Sequence, residues 1–305
     1  MTVINMMSFG DSGAAVADEQ SSTQIRKYNA SQKLRLIADS VIFGGSGASD
    51  FIKEVYEMTA ESVAVSKEKE LTIRQINDLT KKILYQSKNS KKNEALYQNL
   101  GISLSEMQTG VLNETGKQLD DQTKNSARMV MQQLEEYVNM SILLGGLENE
   151  RFVIYRINSG FPGDKVSKPN QSIGSGSDES DKVLSNYVSS IPREERDKIN
   201  VTEGLVKLIE ATNAASNLNV GVGGNPSIVY MSKDKKIITP NENQCILASE
   251  IVEGYTRGLL GKEFAYGAVH ELVLNDGKFE NYEEEMKQSC KDWKKLDRIL
   301  RGYKE

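Results

Sequence analysis

The chain has 305 residues and a net charge of −5, with 38% hydrophobic and 27% charged residues. That length suits one large domain or two ordinary ones, with a substantial core. The acidic balance and the scatter of Lys and Arg argue against nucleic acid as the main partner, and no apolar run is long enough to span a membrane.

The opening Met-Thr-Val-Ile-Asn-Met-Met lacks both the basic and the long apolar stretch of a signal peptide. Residues 2–9 alternate loosely, a Gly10-Asp11-Ser12-Gly13 turn follows, and Ala14-Ala15-Val16-Ala17 is a second apolar run. Two short runs joined by a Gly/Asp turn predict a β-hairpin ending at Asp18. The Met6-Met7 pair reads as core. Lys33-Leu34-Arg35-Leu36 and Val41-Ile42-Phe43 are further strands, the second running into a Gly44-Gly45-Ser46-Gly47 turn. Ser49 caps a helix with Ile52, Val55, Tyr56, Thr59 and Val63 on one face.

The stretch 67–125 is rich in Lys, Gln and Asn. It predicts helices with weak apolar faces, broken near Gly101, Gly110 and Gly116, as a solvated lid or partner surface. Asp120-Asp121 lacks further ligands at useful spacing, so no metal site is expected. A stronger helix runs from Ala127 to Met140. Strands resume at Ile142-Leu143-Leu144, break at Gly145-Gly146 and continue at Phe152–Tyr155; 158–172 is a polar loop. Ile173-Gly174-Ser175-Gly176-Ser177 precedes a helix with Val183, Leu184, Tyr187 and Val188. Thr202 caps another with Leu205, Leu208 and Ile209 inward. A Gly/Asn-rich loop over 217–226 leads to the strand 227–231, Ile237-Ile238 is a further short strand, and the end of the chain is a charged helix or two. The single histidine, His270, rules out His-rich metal sites and suits a structural place near a strand end. Cys245 and Cys290 are too far apart in sequence to suggest a disulfide framework, so a reducing cytoplasm is the expected compartment.

Strands, helices, strands, helices and a strand, without βαβ alternation, predict an α+β fold. These landmarks resemble those of the proteasome β-subunit family of N-terminal-nucleophile hydrolases. Thr2 heads the hairpin and Asp18 closes it, at the spacing the family keeps between its nucleophile and acidic partner. Lys33 sits where the family keeps its catalytic lysine, one residue closer to the acid than usual. Gly44–Asp50 resembles the glycine turn that supplies the oxyanion N–H. Ile173-Gly174-Ser175-Gly176 resembles the Gly-Ser motif whose serine lies beside the nucleophile. Thr212-Asn213-Ala214-Ala215-Ser216 resembles the Arg-Asp-Ala-x-Ser segment, with Asn213 in place of the aspartate. The resemblance covers 2–65, 127–190 and 200–232.

It implies a four-layer αββα sandwich over 1–232, with a helical insertion at about 67–125 and a C-terminal extension over 233–305. It also implies a threonine-type peptidase or amidohydrolase. Thr2, once Met1 is removed, would be the nucleophile and its own α-amine the base. Lys33 would lower the amine's pKa and orient the hydroxyl, with Asp18 holding Lys33. Amides at Gly45, Ser46 and Gly47 would meet the oxyanion. Ser175, Ser216 and Asn213 would bond the amine and hold geometry. The implied partners are a peptide or protein substrate and further copies in a ring or smaller oligomer, with no cofactor, nucleic acid or membrane. Two alternatives keep the fold: a transpeptidase or ligase using the same acyl-enzyme, and a non-catalytic assembly subunit.

Overall fold

The computed structural model of the chain describes residues 2–22, 27–28, 32–66, 70–219 and 222–301. Met1 and parts of the 67–125 and 217–226 segments lie outside them. The fold is mixed α and β, with two antiparallel five-stranded sheets. In chain order, β1 (Ile4–Ser8) and β2 (Gly13–Asp18) form the expected hairpin, with Ile4 opposite Ala17 and Ser8 opposite Gly13. A two-stranded ribbon follows, β3 (Ser21–Ser22) and β4 (Lys27–Tyr28). Then come β5 (Leu34–Ile37) and β6 (Val41–Gly47). Helices α1 (Ser49–Ala64), α2 (Ile73–Leu100), α3 (Leu104–Thr109) and α4 (Asp121–Val138) separate β6 from β7 (Met140–Glu148). After β8 (Arg151–Asn158), β9 (Phe161–Lys165) and β10 (Asn170–Ile173) come α5 (Ser177–Ser190), a 3-10 helix (Arg193–Lys198) and α6 (Val201–Leu218). Strands β11 (Pro226–Met231) and β12 (Ile237–Ile238) lead into α7 (Glu242–Thr256), α8 (Lys262–Leu274), α9 (Phe279–Ser289) and α10 (Trp293–Arg301).

The chain divides into two compact units, one of 1–46, 142–156 and 164–305, the other of 47–141 and 157–163. The first unit holds the hairpin at the centre of the sheet β10-β1-β2-β11-β12. Side chains alternate across it with the period of two that a strand imposes. Ile4, Met6, Ala15 and Ala17 share a core with Leu34, Ile42, Leu143, Phe152 and Ile154 of the second sheet, ordered β5-β6-β7-β8-β9. Met7, Ala14 and Val16 point the other way, into a core built by α5, α6, α7 and α8. One hairpin is therefore buried on both faces, which explains why its residues are apolar at nearly every position. The described residues from 233 onward fall inside this unit: Ile251, Val269, Met286 and Leu296 are all buried in the helical core.

The second unit contains all of the described part of 67–125, together with α1 and α4. Its helix ends carry their own signals. Thr72 with Gln75 and Ser103 with Glu106 are reciprocal capping boxes. Gly101 and Gly110 end α2 and α3 in the left-handed conformation, as the glycine breaks predicted. A small core of Leu96, Ile102, Leu119 and Ala127 ties α2 to α4. Lys88 is buried and reaches both Glu135 (2.6 Å) and the Ser159 carbonyl (3.1 Å), so its charge has partners.

Several local expectations are corrected. Strand β6 runs on through Gly47 instead of turning at Gly44; a Cβ at Gly44 would stand 2.9 Å from Ile4 Cγ2, so the glycine serves a close pass over β1. Gly145-Gly146 likewise sits inside β7, where a side chain at 145 would overlap Met6 and Phe152. The 158–172 stretch holds β9 and β10. Ser49 is helical and Ala48 precedes it without a side-chain cap. Asn200, not Thr202, caps α6 by accepting from Glu203 N–H at 3.0 Å. Helix α4 begins at Asp121, six residues before Ala127, and Asp120 caps it by accepting from Thr123 N–H at 2.6 Å. His270 lies in α8, where a ring nitrogen meets Thr202 Oγ1 at 2.9 Å. Helices α7 and α8 were not anticipated: their buried faces use Ala, Cys and Gly as well as larger residues, so the apolar period is faint.

Candidate active site

The site grows from the end of the hairpin. Asp18 is the last residue of β2 and is buried. Its Oδ1 accepts from the backbone N–H of Val3 at 2.7 Å and from Lys33 Nζ at 2.8 Å. Its Oδ2 accepts from Gly223 N–H at 3.1 Å. Three donors surround this one carboxylate, and they come from three separate segments. Lys33 is also buried, and its Nζ donates a second bond to the Gln20 carbonyl at 2.8 Å. Burial holds the Lys33 pKa below the ordinary lysine value, while Asp18 and Glu19 act in the opposite direction. Burial also raises the neighbouring Glu19 carboxyl above its usual range; Ser227 opposes this, and Glu242 adds to it.

Thr2 is the residue just before this carboxylate's contact at Val3. Its backbone N–H donates to Ser175 Oγ at 3.2 Å, and its carbonyl accepts from Gly176 N–H at 3.2 Å. The Gly174-Ser175-Gly176 turn therefore grips Thr2 from both sides. Gly174 has φ +100°, which favours glycine, and a Cβ there would overlap the Thr2 carbonyl. Asn219, from the end of α6, donates to the Ser175 carbonyl at 3.1 Å. Gly176 also packs closely on Ala215 and Val3, and Val3, Ala215 and Val222 form a small buried cluster.

The structure brings Thr2, Asp18, Lys33 and Ser175 into one connected group. Leu34 stands opposite Gly44, so Lys33 and Gly45 each lie one residue beyond that pair; Gly45 and Ser46 are buried in β6. Gly47 belongs to the second compact unit, with φ +131° and no room for a side chain beside Asn139. Ser216 is half-buried on α6, directly after Ala215, and has no hydrogen bond into the group among the described residues. Asn213 is committed elsewhere: its Nδ2 donates to the Ser249 carbonyl at 3.0 Å, and its Oδ1 accepts from Ser249 Oγ at 2.7 Å. These two bonds tie α6 to α7.

Sequence reasoning missed Gln20, Gly223 and Asn219. Two of them act through backbone groups, which leave no residue-type signature, and the Gly/Asn-rich loop was the only hint. Among the described residues no cluster of three or more His, Cys, Asp or Glu could hold a metal ion, and no helix is long and apolar enough to cross a membrane. Cys245 and Cys290 are free thiols. No protein-family model matches the chain, and no curated protein matches it.

Proposed function

We propose that the chain is an N-terminal-nucleophile hydrolase of the proteasome type, a four-layer αββα sandwich whose nucleophile is Thr2 after removal of Met1. The observation that carries this reading is the buried Asp18–Lys33 pair fastened to the Val3 amide, with the neighbouring Thr2 nitrogen on Ser175 Oγ. A buried ion pair costs desolvation energy and is weak evidence for stability alone. Placed beside one particular residue of a strand end, it supports a chemical role for that residue.

With Met1 gone, Thr2 nitrogen is a free amine of ordinary pKa about 7.7–8.0, partly neutral at physiological pH. The Lys33 cation disfavours the ammonium form further. The neutral amine takes the proton of Thr2 Oγ1 as that oxygen attacks a substrate carbonyl. The C–O bond forms, the carbonyl π electrons move onto oxygen, and N–H groups at Gly45 and Ser46 meet that charge. Collapse expels the amine half, which takes up the proton, and leaves an ester on Thr2. Water then attacks the ester and releases the acid. Peptides or proteins are the substrate class, cytoplasm the compartment and a ring or smaller oligomer the assembly that this reading carries.

The second reading is a non-catalytic assembly subunit. It is favoured by the commitment of Asn213 to Ser249, which leaves no second acid at the position matching the family's aspartate. Peptide turnover separates the two. A peptide-amide library should be cleaved by the unaltered chain and by Thr2→Ser, and not by Thr2→Ala. Equal turnover by Thr2→Ala, or none by any form once Met1 removal is verified, contradicts the hydrolase. Supplying an amine peptide decides between water and amine as acceptor: a ligated product identifies a transpeptidase.

A further inference from the structure

A pocket of about 650 Å³ lies in the first unit at the end of β1 away from Thr2, where Ser8 and Gly10 line it. Six residues of extended chain place Ser8 roughly 20 Å from Thr2. Its floor is fixed by hydrogen bonds. Phe152 N–H donates to the Gly10 carbonyl and Ser8 N–H to the Pro169 carbonyl, both at 2.7 Å. Ser8 Oγ donates to the Phe152 carbonyl at 2.8 Å.

The lining is unusual for a chain of net charge −5. Arg151, Lys165, Lys168, Arg193 and Arg196 face the pocket against one carboxylate, Asp197. Arg151 pairs with Asp197 at 3.0 Å, and Lys165 pairs with Glu148. Lys168, Arg193 and Arg196 have no carboxylate partner among the described residues. Arg196 Nε donates to the Ile191 carbonyl at 3.0 Å, which aims the guanidinium without neutralising it. Three cations without an ion-pair partner among the described residues line one concavity, and a multivalent anion could pair with them together. Guanidinium forks match the paired oxygens of phosphate, and the pocket has the volume of a small-ligand site, about 300–1,000 Å³.

We propose that this pocket binds a compact multivalent phosphorylated ligand, through Lys168, Arg193 and Arg196. The chemistry is shared by a free oligophosphate and by the phosphate chain of a nucleotide. It stands apart from the hydrolase reading and is measured equally well in a Thr2→Ala chain.

The test is calorimetric titration of the full chain with tripolyphosphate at constant ionic strength. Saturable binding with Kd below about 100 µM is expected. The double variant Lys168→Ala/Arg193→Ala should weaken it by about tenfold or more, whereas Lys82→Ala, on the exposed side of α2, should leave it unchanged. Unchanged far-UV spectra and melting temperatures establish that these exposed-site variants fold. ATP binding tighter than tripolyphosphate assigns a nucleotide; equal or weaker ATP binding assigns the free oligophosphate. No saturation by about 1 mM, or equal affinity in the double variant, overturns the proposal. Equal affinity for citrate overturns the phosphate assignment, and binding of a polyglutamate peptide without tripolyphosphate overturns it in favour of an acidic protein partner.

Discussion

Asp18 Oδ1 lies 2.8 Å from Lys33 Nζ and 2.7 Å from the Val3 nitrogen, so one oxygen ties a buried lysine to the residue next to Thr2. Removing the carboxylate charge leaves Lys33 buried and uncompensated. Asp18→Asn should therefore cost about 3–5 kcal/mol, read as a lower midpoint in urea unfolding. Lys33→Met should cost a comparable amount by stranding Asp18. Wild-type midpoints for both would show that the pair contributes nothing to the fold.

The Lys33 pKa gives a pH signature. Its folded value lies below the ordinary one of about 10.4 because burial disfavours the ammonium. Between the lowered folded value and the unfolded value, the unfolded chain binds more protons, so stability rises with pH through that window. The destabilising cost of the buried charge is fully present below the folded pKa and is relieved above it. The stability difference between the unaltered chain and Lys33→Met should shift in favour of the unaltered chain as pH increases toward 10.4. A pH-independent difference across the alkaline range would contradict the assignment.

Gly174 and Gly116 provide a paired test of the grip on Thr2. Both have positive φ, +100° and +65°, but only Gly174 lacks space for a side chain. Gly116→Ala should cost about 1 kcal/mol, the price of the left-handed conformation alone. Gly174→Ala adds a clash with the Thr2 carbonyl and should cost more than about 2 kcal/mol, with loss of any Thr2 reactivity. Thermal melts of the two variants compare them directly. Equal shifts would show that the 174–176 turn does not position Thr2.

Asn213 is legible in two ways, and the variants decide. By resemblance, restoring the family's acid with Asn213→Asp would raise activity. By contact, it replaces the Nδ2 donor with an oxygen facing the Ser249 carbonyl, loosening α6 from α7. The contact account predicts a loss of about 1–3 kcal/mol and no gain in turnover. Greater turnover at unchanged stability would favour the resemblance.

The thiols are expected to differ. Cys245 is 2% exposed, and burial pushes its thiol pKa up to about 12. Cys290 is half-buried. A chromogenic disulfide reagent at neutral pH should titrate Cys290 in the native chain and reach Cys245 only after denaturation. Rapid reaction of both native thiols would contradict the packing of α7 against β11.

Much of the site was legible because its carriers are side chains at regular places. The Gly10–Gly13 turn set the hairpin register, and that register placed Asp18 at a strand end and Thr2 before the other. Ser175 stood out from the glycines around it. Other features were hidden for physical reasons. Gly44 and Gly145 read as turns, yet both are close approaches inside strands, a distinction made only by what packs above them. Gln20 and Gly223 act through backbone atoms. Asn213 lies on α6, and its partner Ser249 lies on α7, a helix whose small buried residues give little periodic signal.

The central claim is that Thr2 becomes a reactive N-terminal nucleophile, and intact mass reads it directly. Protein made in cells is weighed before and after exposure to a threonine-directed β-lactone or epoxyketone. The account predicts loss of one methionine, then a single adduct that is absent in Thr2→Ala. Retained Met1 with no adduct, or an adduct of equal yield in Thr2→Ala, contradicts it.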